Sequence, residues 1–199
     1  MEPVVYIMLW ERPLRPEERG YLAALLPEVR RARLERVPQD RWDQPLAAWG
    51  LLALSCRELF GWKRLPEIEV RQGGKPQFSG YPDRSFSLSH TRGAAACALW
   101  DRPIGVDVEG RRKVSRRLME RFGVKEEEDF VRRWVCREAA AKRLGVGGLA
   151  ALLSPVEGEA ECRLLTLEAG LYLGIATEGE ARLEQLTWRD LMSRLADCF

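Results

Sequence analysis

The sequence lacks the marks of several large functional classes. Its 199 residues include a single histidine, which excludes a zinc centre built from several histidines. Lys and Arg total 32 against 30 Asp and Glu, so the basic excess of a general nucleic-acid binder is missing. No apolar run reaches the ~18 residues of a membrane span. We therefore expect a protein that engages neither nucleic acid nor a membrane.

Cysteine is scarce and scattered. The five cysteines are odd in number and form no Cys-x-x-Cys pair; they stand at positions 56, 97, 136, 162 and 198. We expect neither a disulfide framework nor a zinc site, but reduced thiols in a cytoplasmic protein. The first ten residues carry no basic segment and are apolar from Val4 to Trp10. This pattern predicts a first strand rather than a signal peptide.

The apolar spacing that is present alternates between the strand period and the helix period. It predicts helices at 16–26, 45–60, 126–144 and 186–198. It predicts strands at 4–10, 68–71, 86–90, 94–100 and 104–109, and a hairpin of 163–167 with 171–177. The repeated order of strand, helix and strands indicates two similar halves that meet near Pro103.

Two carboxylates stand in the predicted strand at 104–109. Asp107 and Glu109 are two residues apart, so both project from the same face of that strand. Two carboxylates on one face repel each other unless a cation lies between them. Mg²⁺ is commonly held by one or two carboxylates together with substrate phosphates. The alternative is a solvent-facing strand whose acids pair with nearby arginines.

Two further segments offer groups that suit a phosphate. His90 lies between Ser89 and Thr91, and all three side chains can bind phosphate oxygens; the alternative is a structural histidine. Lys75 follows two glycines and precedes Pro76, so a flexible turn presents a positive charge. This segment lacks the pattern of a P-loop, and an ordinary hairpin turn is its alternative interpretation.

A third acid lies on the predicted helix at 126–144. Trp134, Glu138 and Lys142 recur at every fourth position and share one face. A Glu–Lys pair with this spacing also stabilises an exposed helix by ~0.2–0.5 kcal/mol, which is the alternative reading. The three alanines at 139–141 and the tryptophan favour a face that is buried and packs closely against a neighbour.

In this order along the chain, the segments resemble the 4′-phosphopantetheinyl transferases of the larger, surfactin-synthetase-activating type. The resemblance covers about the middle third of the chain. The motifs of that family are present as Gly-Lys-Pro at 74–76, Phe-Ser-Leu-Ser-His at 86–90, Ile-Gly-Val-Asp-Val-Glu at 104–109 and Trp-Val-Cys-Arg-Glu-Ala-Ala-Ala-Lys at 134–142.

The resemblance implies an α+β fold in which two similar halves, 1–103 and 104–199, are related by a pseudo-twofold axis. The active site would lie in the cleft between these halves, and the protein would be a monomer. The first half would bind coenzyme A, and the second would carry the metal and catalytic residues. The resemblance also implies Mg²⁺ and an acyl or peptidyl carrier protein as the acceptor.

Residue by residue, the resemblance assigns coenzyme A binding to Lys75, Pro76, Ser89 and His90, with His90 on the 3′-phosphate. One arginine between positions 30 and 41 would also lie near that phosphate. The resemblance assigns Mg²⁺ and the pyrophosphate to Asp107, Glu109 and Glu138. Glu138 would be the catalytic base for the carrier serine, and Lys142 would bind the pyrophosphate as the leaving group gains charge.

The sequence departs from the family pattern in places. Arg137 stands where the family usually has Lys, and the stretch from 109 to 134 is shorter than usual, which leaves the carrier contacts open. Two other functions remain as alternatives. One is a non-catalytic module of the same fold that binds coenzyme A or a carrier. The other is a Mg²⁺-dependent phosphohydrolase built on Asp107 and Glu109.

Overall fold

The computed structural model describes residues 1–10, 12–70 and 73–196. Two of the sequence predictions reach beyond these residues. The strand predicted at 68–71 includes Arg71, and the helix predicted at 186–198 includes Cys198; both residues lie outside the described part of the chain.

The secondary structure alternates short helices and strands around two long helices. The strands are β1 (Val4–Leu9), β2 (Ile68–Val70), β3 (Pro76–Phe78), β4 (Ser85–Thr91), β5 (Ala94–Trp100), β6 (Gly105–Gly110), β7 (Arg163–Thr166), β8 (Leu171–Ala176) and β9 (Arg182–Leu186). The helices are α1 (Pro16–Ala24), α2 (Glu28–Leu34), α3 (Asp43–Phe60), α4 (Arg116–Arg121), α5 (Glu127–Leu144), α6 (Leu149–Leu152) and α7 (Trp188–Ala196). Among the described residues, no helix is long and apolar enough to span a bilayer.

The first sheet has the strand order β4-β5-β1-β9 and carries the largest core. Only the β1–β9 pairing is parallel; β1–β5 and β4–β5 are antiparallel. Helix α3 packs its apolar side on this sheet, where Leu51 meets Tyr6 and Leu99 in one buried cluster. The helix ends at Gly61, whose left-handed φ of 68° closes the last turn, so the predicted stop is confirmed.

The second sheet has the order β6-β8-β7 and is covered by α5. Close approach of this helix depends on two glycines in the strands. A Cβ at Gly105 would lie 1.9 Å from the Ala139 carbonyl oxygen, and one at Gly174 would lie 2.7 Å from the Val135 oxygen. Any side chain at either position would push the helix away from the sheet. The predicted narrow helix face is confirmed, since Ala139 is fully buried.

The first and second sheets meet along β4 and β6. Here backbone N–H groups of β6 donate to serine hydroxyls of β4 rather than to backbone carbonyls. Ser87 Oγ accepts the Val106 N–H at 3.0 Å, and Ser89 Oγ accepts the Val108 N–H at 3.2 Å. A second buried cluster, which includes Ile7 of the first sheet and residues of the second, fills the space between the sheets. The polar Phe-Ser-x-Ser-His strand is therefore part of the junction that positions β6.

The α+β fold class is confirmed, and the hairpin predicted at 163–177 is present as β7 and β8. The division at 1–103 and 104–199 stays a prediction. The structure adds that the chain returns to its first sheet near its end, where β9 pairs with β1 and α7 packs against α3. The sequence analysis missed β9 because it is short and mostly polar, and extended the last helix back to 186.

The cysteines within the described residues, at 56, 97, 136 and 162, are all free thiols in this structure.

A buried carboxylate at the start of α1 predicts that the folded protein loses stability in acid. Glu18 is 4% exposed; it accepts two hydrogen bonds from Arg12 and one from the Arg15 N–H. The Arg12 guanidinium lowers the pKa of Glu18 from 4.5 to about 2. This contribution to stability is complete above pH 4.5 and is lost as the pH falls toward 2. Because Arg12 is half-exposed, we expect the charged Glu18 to contribute on the order of 1–2 kcal/mol to the free energy of unfolding.

Thermal unfolding at pH 7 and pH 3 measures this effect. Glu18→Gln should lower the stability at pH 7 and flatten its decrease between pH 4.5 and pH 3. The neighbouring Glu17 is exposed, so Glu17→Gln is the matched control and should behave as the wild type. An unchanged acid response in Glu18→Gln would contradict the prediction.

Candidate active site

Asp107 lies at the centre of the site, on the face of β6 that α5 covers. It is 2% exposed, although the sequence allowed a solvent-facing strand. Its Oδ1 accepts a hydrogen bond from Ser89 Oγ at 2.6 Å and another from Lys142 Nζ at 2.7 Å. Its Oδ2 is buried and has no hydrogen-bond partner within the described residues. One oxygen of a buried carboxylate therefore has capacity for a further donor or a cation.

Lys142 joins the strand carboxylate to the helix carboxylate. Its Nζ lies 2.7 Å from Asp107 Oδ1 and 3.4 Å from Glu138 Oε1. Burial alone would lower the pKa of Lys142, but the two carboxylates together raise it above its ordinary value. Asp107 of β6 and Glu138 of α5 thus lie on either side of one positive charge.

Glu138 and Glu109 complete an acidic cluster around Asp107. Burial, and then the charge of Asp107, raise the pKa of each of these two carboxyls above its ordinary value. Within the described part of the chain, however, no three histidine, cysteine or acidic side chains converge closely enough to form a metal cluster. The three acids share one electrostatic environment, which an added cation would stabilise.

Arg137, the residue that departs from the family pattern, points away from this cluster. It is 4% exposed; its Nε and Nη2 donate to the two carboxylate oxygens of Glu159 at 2.7 and 3.0 Å. Nη1 donates to the Leu152 carbonyl at 3.2 Å, and the guanidinium lies 4.2 Å from the Phe122 ring centroid. Arg137 therefore fastens α5 to the segment before β7 and has no direct contact with Glu138.

The Gly-Lys-Pro turn lies beside the C-terminal end of α5. Lys75 Nζ donates to the carbonyl oxygens of Ile104 at 3.0 Å and Arg143 at 3.1 Å. Lys75 and Pro76 also line a cavity of about 210 Å³ that Lys142 and Ser87 share. The turn leads into β3, which pairs with β2 in a separate two-stranded sheet, and its Lys75 lines the same cavity as Lys142.

His90 lies at the end of β4 and lines a second, larger cavity of about 550 Å³. The side chain is exposed at this cavity. Its crowded surroundings, and then the Lys142 ammonium, lower the pKa of His90 below 6.5. Arg30, Arg33 and Arg41 line the same cavity, and the Arg30 guanidinium lies 5.4 Å from the ring centroid of Trp49. The cavity combines an apolar wall with an excess of positive charge.

Six of the arginines in the first quarter of the chain fall into two groups. Arg12, Arg15 and Arg19 form ion pairs with Glu18 or Asp43, which hold α1 in place. The arginines at 30, 33 and 41 line the cavity with His90 instead. The sequence analysis assigned no site role to Trp49, which falls within the helix predicted at 45–60. Its helical spacing was compatible with a core residue as much as with a cavity wall.

The fold and the site define an α+β protein in which Asp107 and Glu138 hold Lys142 at one cavity, while His90 and three arginines line another. Such an arrangement suits a ligand with several phosphates together with a cation. No model of a protein family matches the chain.

Two curated proteins are similar to it. One is the 4′-phosphopantetheinyl transferase Sfp of Bacillus subtilis (strain 168), 24% identical over 158 residues, which cover 72% of this chain and 70% of that protein. The other is the 4′-phosphopantetheinyl transferase psf-1 of Bacillus pumilus, 26% identical over 160 residues, 64% of this chain and 69% of that protein. The resemblance to the larger type of phosphopantetheinyl transferase is thereby confirmed.

Proposed function

We propose that this chain is a Mg²⁺-dependent transferase that moves 4′-phosphopantetheine from coenzyme A to a serine of an acyl or peptidyl carrier protein. Adenosine 3′,5′-bisphosphate is the second product. The observation that carries the proposal is the position of Lys142 between Asp107 and Glu138. The Lys142 ammonium is held by two carboxylates and lines a cavity that also contains Lys75. From this position it can stabilise the charge of a pyrophosphate that is cleaved in the cavity.

Coenzyme A would be bound across the two cavities. The larger cavity offers Arg30, Arg33, Arg41 and His90 to the 3′-phosphate, and Trp49 supplies an apolar wall. Guanidinium groups suit this role because they form charge-assisted hydrogen bonds to phosphate oxygens. Ser89 lies between this cavity and the acidic cluster, where its hydroxyl orients Asp107. The smaller cavity, lined by Lys75, Pro76 and Lys142, would accept the region of the pyrophosphate.

The acidic cluster fits a magnesium ion by its donor chemistry. Asp107 Oδ2 is buried without a partner in the described structure, and the pKa values of Glu109 and Glu138 are raised by burial and mutual repulsion. Asp107, Glu109 and Glu138 would hold the ion, which supplies neutralisation of charge on the pyrophosphate oxygens. Lys142 now lies where it neutralises Asp107 and Glu138 itself, so it would turn toward the phosphate in the loaded enzyme.

Glu138 and Lys142 would then act in the transfer step itself. The serine oxygen of the carrier attacks the phosphorus that bears pantetheine, and the bond to the bridging pyrophosphate oxygen breaks. Glu138 accepts the serine proton, directly or through a water. Lys142 stabilises the negative charge that builds on the departing adenosine 3′,5′-bisphosphate.

Carrier proteins are usually acidic, so the surface formed by the arginine-rich first quarter of the chain is suited to their docking. A monomeric state and a cytoplasmic location remain predictions. The choice between acyl and peptidyl carriers is left to experiment.

Intact-protein mass spectrometry tests the proposal directly. The purified protein with Mg²⁺ and coenzyme A should add about 340 Da to an apo carrier, on the serine that carries the arm. Carriers from fatty-acid and from peptide or polyketide pathways should both be assayed. Cleavage of coenzyme A with no gain of carrier mass would indicate the phosphohydrolase, and binding without cleavage would indicate the non-catalytic module. Either result would overturn the proposal.

The 3′-phosphate assignment predicts a preference between two donors. 3′-Dephospho-coenzyme A lacks that phosphate, so we expect wild-type KM for it to be about 10–100-fold higher than for coenzyme A. Arg33→Ala and His90→Ala should raise KM for coenzyme A alone, so the KM values for the two donors should become more similar. Arg36 is exposed and does not line the cavity, so Arg36→Ala is the matched control. Equal losses with both donors would contradict the assignment.

A further inference from the structure

Two thiols face each other in a groove on the outer side of α5. Cys136 lies on this helix, and Cys162 comes directly before β7. Both line an open cavity of about 880 Å³, together with Glu159. Cys136 Sγ donates to the carbonyl oxygen of Cys162 at 4.0 Å, and Cys162 Sγ donates to the adjacent Arg163 carbonyl oxygen at 3.8 Å. The pair is therefore close in space although 25 residues separate it in sequence.

The scaffold around this pair is held together by the buried Arg137–Glu159 ion pair. Arg137 is the next residue after Cys136, and Glu159 lies three residues before Cys162. The bidentate contact fixes the helix and the segment before β7 at short range, so the thiols need little movement to meet. This proximity is not sequence-local, which is why the scattered cysteines suggested no pairing.

The two other described thiols, Cys56 and Cys97, are far less accessible. Cys56 and Cys97 are 1% and 0% exposed in the main core. Burial raises the pKa of Cys97 to about 12, so this thiol stays protonated and inert. Cys136 and Cys162 are each partly exposed at the groove, where a small oxidant can reach them.

We propose that Cys136 and Cys162 form a reversible dithiol that hydrogen peroxide converts to an intramolecular disulfide. One thiol attacks the peroxide, the O–O bond breaks, and a sulfenic acid and one water result. The second thiol attacks that sulfur, the S–S bond forms as the S–O bond breaks, and a second water leaves. In total the thiols lose two electrons and two protons, and one peroxide becomes two waters.

The cross-link would connect the helix that carries Glu138 and Lys142 to the second sheet. It closes the loop between positions 136 and 162 and restricts the unfolded chain, so the oxidised protein should be more stable than the reduced protein. This inference does not depend on the proposed transferase activity, because oxidation and unfolding are measured without substrate.

The experiment uses the whole 199-residue chain with Cys198→Ser, so that the cysteine outside the described residues does not contribute. Reduced protein is treated with hydrogen peroxide and then alkylated in denaturant. We expect a mass loss of about 2 Da before alkylation, two fewer alkylated thiols, and a peptide that joins Cys136 to Cys162. The unfolding temperature should rise by roughly 5–10 °C and return to its starting value after dithiothreitol.

Cys136→Ser and Cys162→Ser in the same background are the matched controls. Each should lose the joined peptide and the temperature rise, since one thiol alone stops at the sulfenic acid or beyond. Full alkylation of Cys136 and Cys162 after peroxide would overturn the proposal. A disulfide between two copies of the chain, seen as a dimer on a non-reducing gel, would overturn it as well.

Discussion

The Glu138→Gln protein is expected to transfer phosphopantetheine about 10²–10⁴ times more slowly than the wild type. The amide has nearly the same shape as the carboxylate but cannot accept the serine proton, and it carries no charge for a magnesium ion. Lys142 keeps its 2.7 Å contact with Asp107, so the fold should remain intact. The rate is measured by intact-carrier mass spectrometry at saturating coenzyme A, and the unfolding temperature is measured in parallel.

Asp129→Asn provides the matched control on the same helix. Asp129 is exposed in the first turn of α5, far along the helix from Glu138, and its loss should leave the rate unchanged. A second readout separates chemistry from binding: coenzyme A should still raise the unfolding temperature of Glu138→Gln, although less than that of the wild type. A transfer rate within about threefold of the wild type would remove Glu138 from the catalytic role.

Much of this site could be predicted from local sequence pattern. Residues two apart on a strand must share a face, and residues four apart on a helix must do so too, so Asp107 and Glu109 on β6 and Glu138 and Lys142 on α5 follow from periodicity. That Asp107 is buried rather than solvated did not follow from that pattern. It depends on Gly105, whose missing side chain lets α5 approach the strand.

The contacts that sequence reasoning did not predict join residues far apart in the chain. The two carbonyl contacts of Lys75 depend on where the chain passes β6 and the end of α5, and no local spacing encodes that. The same holds for β9, which pairs with β1 across the whole chain. The arginines at 12 and 33 look alike in sequence, and only the fold shows that Arg12 pairs with Glu18 of α1 while Arg33 lines a cavity.

Arg137→Ala is expected to cost the largest share of stability of any single change discussed above. Its guanidinium is buried, and truncation leaves the Glu159 carboxylate and the Leu152 carbonyl without their donor. Removal of one partner of a fully buried ion pair costs about 3–5 kcal/mol. Because the Glu159 side chain is 21% exposed, we expect the loss to lie near the lower end of this range. For a chain of this size the unfolding temperature should fall on the order of 10 °C. Calorimetry or a dye-based thermal shift at pH 7 measures it.

Arg137→Lys is the sharpest control for this prediction, because the family that the sequence resembles usually has lysine at this position. Arg137→Lys keeps the charge but cannot form the two parallel bonds to Glu159, so it should lie between the wild type and Arg137→Ala. The double variant Arg137→Met with Glu159→Leu removes both charges together and should recover part of the loss, because no buried charge then lacks a partner. If Arg137→Ala alone lowered the unfolding temperature by less than about 2 °C, the ion pair would be a solvated contact, and α5 would be held by its apolar face and Gly105 instead.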